Sequence, residues 1–430
     1  MPHRLKPYYI AVDQLRVGTF IILDIKWLDH NFSRNSFKLK NAEQIAEIRQ
    51  LGLKQIRIDP ARSDNPPPPL QRTDQLPAAT EVTTPLSEEE IQAAKIKRER
   101  IERINQLRAS VVECEKKFLK TANALKNINA NVFSRPQDAH RLANELIGKM
   151  LDSLMTDRDI AIHLMNDKAG SEEMYFHALN VAVLAMMLAK ELGLPAEEIK
   201  ELGVGCLFHD IGKLNIPDRV LQKSSGLTRA EQNLLQQHCQ YGEEIVQKMG
   251  LSRQAVNIVM QHHECMDGSG YPKLLQGDQI SPLARIAAIV NAYDNHCNRT
   301  NPSDSLSPYA ALSYMFARQR PQFDTGPLGV FIRCLGVYPP GTLVRLSDGT
   351  LGMVMAVNAS KPLRPSVLIY DPGVPKGEAI ILDLEQEPDI SISESLRSVQ
   401  LPREVYDYLS PRKRMTYYFD VPQTNRRGPA

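Results

Sequence analysis

The spacing of apolar residues changes its period twice along this chain, and the changes predict three structural regions. Residues 19–25 and 55–58 have the short apolar pattern of strands, and a helical pattern lies between them. The centre of the chain has apolar residues at helical spacing, and after residue 338 the period returns to two. We therefore predict a mainly α protein with a small N-terminal α+β domain, residues 1–62, and a small C-terminal β-rich module, residues 338–400.

Two segments connect the N-terminal domain to the central helices. Residues 63–86 predict a linker, because four consecutive prolines at 66–69 stiffen a polar stretch. Residues 87–144 predict a coiled-coil-like helix and a connecting helix, since apolar residues recur seven positions apart. The first set is Ile104, Val111, Phe118 and Leu125, and the second is Leu107, Cys114 and Ile128, interrupted by Thr121. This seam predicts a homodimer contact through the 100–128 helix, with packing on later helices of the same chain as the alternative.

The C-terminal module has the pattern of several short strands. A turn sequence, Ser347-Asp348-Gly349, lies between two strand patterns and predicts a β-hairpin over 341–357. Further strand patterns follow at 366–370 and 379–384, so we expect a small β-barrel-like module. The last residues, 401–430, predict a solvated basic tail.

Bulk properties exclude some classes of protein. At 430 residues the chain exceeds one ordinary domain, and 52 basic against 50 acidic residues give no strong field, so we expect no nucleic-acid duplex as a partner. No apolar stretch reaches the length of a membrane span, and the six dispersed cysteines show no disulfide pattern. These features predict a cytoplasmic protein without a membrane span.

Histidine and aspartate residues in the central region have the spacing that a polynuclear metal centre requires. They are His177, His209, Asp210, His238, His262 and His263. A lone core histidine is more often bonded to a carbonyl group than to a metal, but adjacent His-Asp and His-His pairs inside apolar helices favour a metal site. A buried Asp210 without a partner would cost several kcal/mol, which a metal or the nearby Lys213 would offset.

Each candidate ligand falls on a predicted helix. The first helix runs over 173–188, the second starts with Pro195 at its first position and ends near Gly212, and the third starts at a Thr228/Glu231 capping box. The fourth starts near Ser252, and the fifth starts with Ser281 as N-cap and Pro282 as its first residue. We expect the helices to aim one or two metal-binding side chains each towards a common centre.

The central region resembles the HD-GYP family, a branch of the HD phosphohydrolases, over about residues 145–325. The matching residues are His177, His209-Asp210-Ile-Gly-Lys213, His238, and His262-His263-Glu264 followed by Asp267-Gly-Ser-Gly-Tyr-Pro272. The resemblance implies a helical, metal-dependent phosphodiesterase that opens cyclic di-GMP to pGpG in bacterial second-messenger signalling, with further cleavage to GMP left open. It also implies two or three divalent ions, with iron or manganese expected, and GGDEF-type cyclase domains as partners of the Gly-Tyr-Pro loop. The N-terminal domain resembles an uncharacterised domain often found ahead of such modules.

The resemblance also implies a role for each matching residue. The implied metal ligands are Glu173, His177, His209, Asp210, His238, His262, His263 and Asn291, with Asp210 bridging two ions. The implied catalytic residues are Asp210 and Lys213, of which Lys213 contacts a substrate phosphate. Gly270, Tyr271 and Pro272 flank the substrate. Glu173 matches a carboxylate that members with three ions carry one turn before the first histidine.

Two departures from the family pattern bear on function. Asn291 stands where the family has an aspartate ligand, and Asp294 occupies the second acidic position of that stretch. The Arg-Pro-Tyr phosphate contact is absent, and Arg299 is the nearby stand-in. Asn291 favours the alternative of a catalytically weak cyclic di-GMP sensor that acts through a partner. A phosphohydrolase for another nucleotide is a third reading, against which the Gly-Tyr-Pro loop argues.

The residues suit phosphodiester hydrolysis apart from any resemblance. Two metals about 3.5–4 Å apart clamp phosphoryl oxygens and activate a water molecule, and a preorganised cation such as Lys213 stabilises the developing charge. No residue stands out as the acid for the leaving oxygen.

Overall fold

A computed structural model describes most of the chain. It covers residues 8–25, 35–64, 116–156, 161–164, 173–223, 226–299, 304–357, 363–374, 379–409 and 417–420, with the single positions 32, 66, 68 and 376. Contacts divide the chain into two compact units, of which the first comprises residues 1–107, 348–350 and 368–382, and the second the remainder. Most of the predicted linker and the 87–115 part of the predicted seam lie outside the described residues.

The N-terminal domain is a four-stranded antiparallel sheet with one helix. Its elements are β1 (Tyr8–Ala11), β2 (Phe20–Ile22), β3 (Ser36–Lys38), α1 (Ala42–Gln50) and β4 (Gln55–Ile58). The sheet has the order β1-β4-β2-β3. Ile48 from the helix packs with Ile10, Ile21 and Ile56 from the strands to form the buried core, so the helical and strand patterns of residues 1–62 are confirmed as an α+β domain.

The second unit is built around a helical bundle. Its helices are α2 (116–130), α3 (Pro136–Thr156), α4 (Glu173–Glu191), α5 (Ala196–Phe208), α6 (Asp218–Leu221), α7 (Arg229–Gln236), α8 (His238–Met249), α9 (Arg253–Gln261), α10 (Pro282–Cys297), α11 (Pro308–Arg318) and α12 (Thr325–Leu335). Helix α4 is buried on nearly every side because it contacts α5, α10 and α12, which explains its continuous apolar sequence. Among the described helices, none is both long and apolar enough to cross a bilayer.

Several predicted helix boundaries differ from the structure. Helix α5 ends at Phe208 rather than near Gly212, and a 3₁₀ segment, Ile211–Asn215, follows it. The Thr228/Glu231 capping box does start α7, but α7 ends at Gln236 and His238 begins a separate helix. The predicted boundaries failed because apolar periodicity continues across turns whose position depends on tertiary packing.

The described part of the predicted seam packs within the chain. Phe118, Leu125 and Ile128 are buried, and the Phe118 ring lies 5.4 Å from the Phe176 ring of α4 between centroids. Packing on helices of the same chain is therefore confirmed for residues 116–130. A homodimer through the 100–128 helix stays a prediction.

The C-terminal region forms a five-stranded sheet. Its strands are β6 (Leu343–Leu346), β7 (Leu351–Ala356), β8 (Ser366–Ile369), β9 (Ile381–Asp383) and β10 (Ile392–Leu396), in the order β10-β6-β7-β8-β9. The predicted hairpin is confirmed, since Arg345 pairs with Leu351 across the turn. Within the predicted basic tail, α13 (Arg403–Leu409) is helical and β11 (Tyr417–Asp420) pairs with β5 (Ala161–Leu164).

Candidate metal centre

The candidate ligands lie mainly at helix ends rather than within helices. His177 is inside α4, but His209 caps the C-terminus of α5, His238 is the first residue of α8, and His262 caps the C-terminus of α9. The expectation that each of these ligands lies on a helix therefore holds for His177 and His238, whereas His209 and His262 lie just past the last residue of their helices. In that position their rings can reach carbonyl groups of the last turn, which have no helical partners.

Those free carbonyl groups orient three of the histidines. In each case the Nδ1 of the ring lies within hydrogen-bond distance of the carbonyl oxygen three residues earlier. The distances are 2.7 Å for His209 to Cys206, 2.7 Å for His238 to Leu235, and 2.8 Å for His262 to Val259. Because a carbonyl oxygen only accepts, each Nδ1 carries the proton and each Nε2 presents a lone pair to the centre.

A buried carboxylate orients the fourth histidine. Nδ1 of His177 lies 2.6 Å from Oδ2 of Asp294. The other oxygen of Asp294 accepts from the side-chain amides of Asn180 and Asn298, both at 2.9 Å. The sequence analysis placed Asp294 outside the ligand positions and did not reveal its orienting role. A local signal for that role is Asn298, which lies one turn further along the same helix and donates to Asp294.

The four oriented rings converge in two pairs on one carboxylate. Oδ2 of Asp210 lies 3.5 Å from Nε2 of His177 and 3.4 Å from Nε2 of His209. Oδ1 of Asp210 lies 3.4 Å from Nε2 of His238 and 3.7 Å from Nε2 of His262. Within the pairs, the Nε2 atoms are 3.1 Å apart for His177 and His209 and 3.3 Å apart for His238 and His262.

This arrangement is repulsive unless cations occupy it. Lone pairs face one another and a carboxylate, with no proton between them, and Oδ1 of Asp210 is buried without a hydrogen-bond partner. One divalent ion at each pair would satisfy every one of these atoms. The described residues accordingly form two groups that could each hold a metal ion and that share Asp210, one with His177 and His209 and one with His238, His262 and His263. Imidazole and carboxylate donors of this kind suit iron, manganese or zinc.

The electrostatics keep the donors in their metal-binding protonation states. Burial lowers the pKa of His238 and His263 and lowers the pKa of His262 to about 3. Burial, the largest single influence, raises the pKa of Asp210, but Lys213, His209 and His262 together outweigh it, so the net pKa lies well below the usual value. Near neutral pH the rings of His238, His262 and His263 are therefore neutral and the Asp210 carboxylate is charged.

These pKa directions predict that the metal-free protein loses stability in acid. The unfolded chain protonates His262 near pH 6.5, whereas the folded chain does so near 3, so stability falls as the pH drops between these values. A histidine of this kind contributes a slope of about 1.4 kcal/mol per pH unit. Thermal melts of chelator-treated protein at about pH 7 and about pH 5 measure the drop. The drop should be smaller in His262→Gln, and equal drops would contradict the prediction.

The loop after His263 folds back on that residue. The Tyr271 ring stacks on the His263 ring, with centroids 4.5 Å apart and planes inclined by 21°, and the Tyr271 nitrogen donates to the His263 carbonyl oxygen at 3.1 Å. A Cβ on Gly270 would lie 2.5 Å from that same oxygen, so only glycine fits. The buried Glu264 carboxylate accepts from the backbone nitrogens of Lys273 at 2.7 Å and Leu275 at 2.9 Å.

The remaining candidate residues have varied settings. Lys213 donates to Oδ2 of Asp210 at 2.6 Å and keeps 29% of its side chain exposed, at the rim of the centre. Asn291 is buried, and its Oδ1 accepts from Asn295 at 2.9 Å. Arg299 contacts Nδ1 of His296 at 3.3 Å. Among the described residues, these contacts of Asn291 and Arg299 do not involve the candidate metal ligands, so the roles of both residues stay predictions.

Glu173 is the first residue of α4, one turn before His177. Its side chain lies outside the described atoms. A third metal site at Glu173 therefore stays a prediction too.

Asp294→Asn should weaken the His177 half of the centre. The amide is neutral and does not hold the Nδ1 proton as firmly, so the ring loses its fixed tautomer. We expect about a tenfold or greater loss of metal affinity, the usual effect of removing an orienting partner. Competition with a chelator measures it. Asp278→Asn, at a fully exposed side chain, is the control, and equal metal retention in both variants would argue against an orienting role.

Comparison with known families agrees with this architecture. An HD domain model matches residues 150–326. A domain of unknown function, DUF3391, matches residues 9–162, and a KOW domain associated with HD domain matches residues 343–403. The helical bundle and the carboxylate shared by two histidine pairs thus lie in the segment that matches the HD domain.

Three curated relatives narrow the class. Cyclic di-GMP phosphodiesterase PA4108 of Pseudomonas aeruginosa is 29% identical over 84% of each chain. The 3′3′-cGAMP-specific phosphodiesterase 2 of Vibrio cholerae is 38% identical over 36% of this chain and 30% of its own. The response regulator RpfG of Xanthomonas campestris pv. campestris, a cyclic di-GMP phosphodiesterase, is 33% identical over 35% and 40%, respectively. Together with the matching motifs, these similarities confirm the resemblance of the helical region to the HD-GYP family.

Proposed function

We propose that this protein is a metal-dependent phosphodiesterase that hydrolyses cyclic di-GMP to pGpG. The observation that carries the proposal is the sharing of Asp210 between two pairs of histidines, with Lys213 beside it. Two divalent ions held in this way would clamp the phosphoryl oxygens and supply activated water. The names of PA4108 and RpfG support cyclic di-GMP as the substrate.

The residues of the chain have distinct parts in this reaction. His177 and His209 would hold one ion, His238, His262 and His263 would hold the other, and Asp210 would contribute to both groups. Lys213 uses one N–H group on Asp210 and has further donors for a phosphoryl oxygen, since its side chain is partly exposed. Its fixed charge favours the transition state, in which negative charge accumulates on those oxygens.

Other parts of the proposal rest on the family resemblance. Glu173 and Asn291 would complete the ligand set, Gly270, Tyr271, Pro272 and Arg299 would contact substrate, and iron or manganese would occupy the sites. We also propose a GGDEF-type cyclase domain as a partner of the Gly-Tyr-Pro loop. The free cysteines among the described residues support a reducing, cytoplasmic location.

A turnover assay tests the proposal directly. Protein loaded anaerobically with manganese or iron is incubated separately with cyclic di-GMP, 3′3′-cGAMP and pGpG, and the products are separated by chromatography. We expect cyclic di-GMP to give pGpG fastest. Binding of cyclic di-GMP without turnover would instead establish the sensor alternative. Faster turnover of 3′3′-cGAMP would show that this nucleotide is the preferred substrate, as the name of the Vibrio cholerae relative states for that protein.

Asn291→Asp tests the neutral residue at the family's ligand position. A carboxylate adds charge to the ligand set, so this variant should retain metal longer than the parent against a chelator. Asn233→Asp is the matched control, because it places the same charge on an exposed residue of α7. If both variants release metal at the parent's rate, Asn291 is not a ligand.

A further inference from the structure

Among the five histidines of the candidate metal centre, His263 differs from the other four in how its ring is held in place. The rings of His177, His209, His238 and His262 are each held by a hydrogen bond from Nδ1 to a carboxylate or carbonyl oxygen. Within the described part of the chain, no such hydrogen bond is recorded for the His263 ring. Its closest aromatic neighbours are His262, at 4.1 Å between centroids, and Tyr271, at 4.5 Å.

Tyr271 is itself held firmly against His263. The two rings are nearly parallel, at 21°, which is a stacking geometry. The Tyr271 nitrogen donates to the His263 carbonyl oxygen, and Gly270 allows the two backbone segments to touch. Glu264 closes the other end of the loop by accepting two backbone N–H groups. The loop is therefore a rigid support whose aromatic face lies on one metal-binding ring.

We propose that Tyr271 is a positioning residue that holds the His263 ring in its metal-binding orientation, so that the Gly-Tyr-Pro loop controls occupancy of one half of the centre. The affected half is the group of Asp210, His238, His262 and His263. The loop contacts described above do not involve His177 or His209, which form the other half of the centre. This role rests on the metal centre and not on the identity of the substrate.

The physical reason is the cost of ordering a ligand. A histidine without a hydrogen-bonded partner rotates about its side-chain bonds, and the metal must then order the ring as it binds. Stacking on a fixed aromatic ring removes that freedom beforehand. Loss of an orienting partner weakens metal binding by about ten- to a hundredfold in other sites, and we expect a loss of that order here, confined to one ion.

The test is a manganese titration of the full chain after metal removal, with bound metal measured by elemental analysis. Tyr271→Leu keeps apolar bulk but loses the stack, so one manganese equivalent should bind at least about tenfold more weakly while the other binds as in the parent. Tyr271→Phe keeps the ring and should bind both equivalents like the parent. Tyr314→Leu is the matched control, because Tyr314 packs on His296, which is not a proposed ligand.

Glu264→Gln provides an independent variant that leaves both rings intact. Its amide would place a donor against backbone N–H groups and loosen the loop, so the same manganese equivalent should weaken. Circular dichroism of the metal-free variants checks that the helices persist. Parent-like binding of both equivalents by Tyr271→Leu, or equal weakening in Tyr271→Phe and Tyr271→Leu, would overturn the proposal. Neither result depends on cyclic di-GMP turnover, so the proposed function would stand or fall separately.

Discussion

Asp210→Ala is expected to abolish nearly all turnover while the helical fold persists. Asp210 supplies an oxygen to each of the two histidine pairs, so its removal deprives both halves of the centre of their only shared charge. We expect turnover of cyclic di-GMP to fall by at least about a hundredfold, because charge stabilisation by two metals is the main source of rate in such sites. Bound metal should fall in parallel.

Turnover assays and elemental analysis of the same preparation measure both effects. Asp218→Ala is the matched control, since Asp218 is an exposed carboxylate in the nearby helix α6. Its turnover and metal content should equal those of the parent. The bridging role would be excluded if Asp210→Ala lost turnover but kept the parent's metal, and the whole centre would be excluded if turnover were unchanged.

Gly212→Ala is expected to disrupt the centre from outside the ligand set. A Cβ on Gly212 would lie 1.9 Å from the His238 carbonyl oxygen and 2.4 Å from the Gly242 nitrogen. These are backbone atoms of α8, so the helix itself would have to move and carry the His238 ring away from Asp210. We expect a loss of about 3 kcal/mol in the free energy of unfolding. Metal affinity should also fall by about tenfold or more.

Thermal or denaturant melts and a chelator competition measure the two effects of Gly212→Ala. The matched control is Gly148→Ala in α3, where an added Cβ has no neighbour within 4 Å. Alanine there is favoured over glycine in a helix by about 0.5–1 kcal/mol, so the control should be as stable as the parent or slightly more so. Parent-like melting and metal retention in Gly212→Ala would show that α8 accommodates the extra carbon.

Both variants are informative because they separate charge from position. Asp210→Ala removes a ligand without moving a helix, whereas Gly212→Ala moves a helix without removing a ligand. If metal loss accompanies both, the centre depends on the placement of α8 as well as on the donor atoms. That dependence is the expected consequence of drawing ligands from the ends of different helices.

The sequence alone predicted the candidate donor residues of the centre and their order along the chain. Adjacent pairs such as His209-Asp210 and His262-His263 inside apolar stretches are costly unless something binds them, so local composition was sufficient. Capping residues such as Thr228 and Ser252 also marked the helix starts correctly, because side-chain caps are local interactions. The hairpin turn at 347–349 was also predicted correctly, because turn residues likewise act locally.

Only the tertiary structure decided how these atoms are arranged. The division of the histidines into two pairs on Asp210 depends on how α4, α5, α8 and α9 pack, and no local pattern specifies that packing. The orientation of each ring depends on where a helix ends, because a carbonyl oxygen becomes available to Nδ1 only in the last turn. The predicted end near Gly212 instead of Phe208 concealed this feature.

The same limit explains the supporting residues that the sequence did not reveal. Asp294 reaches His177, and Gly212 touches His238, across separations of many residues along the chain. Tyr271 is near His263 in sequence, yet the stacking of their rings follows from the folded path of the loop. The amino-acid sequence therefore predicted which groups could bind metals. Packing and chain reversal determined which atoms face one another, because those distances are set by contacts between segments that the linear pattern does not relate.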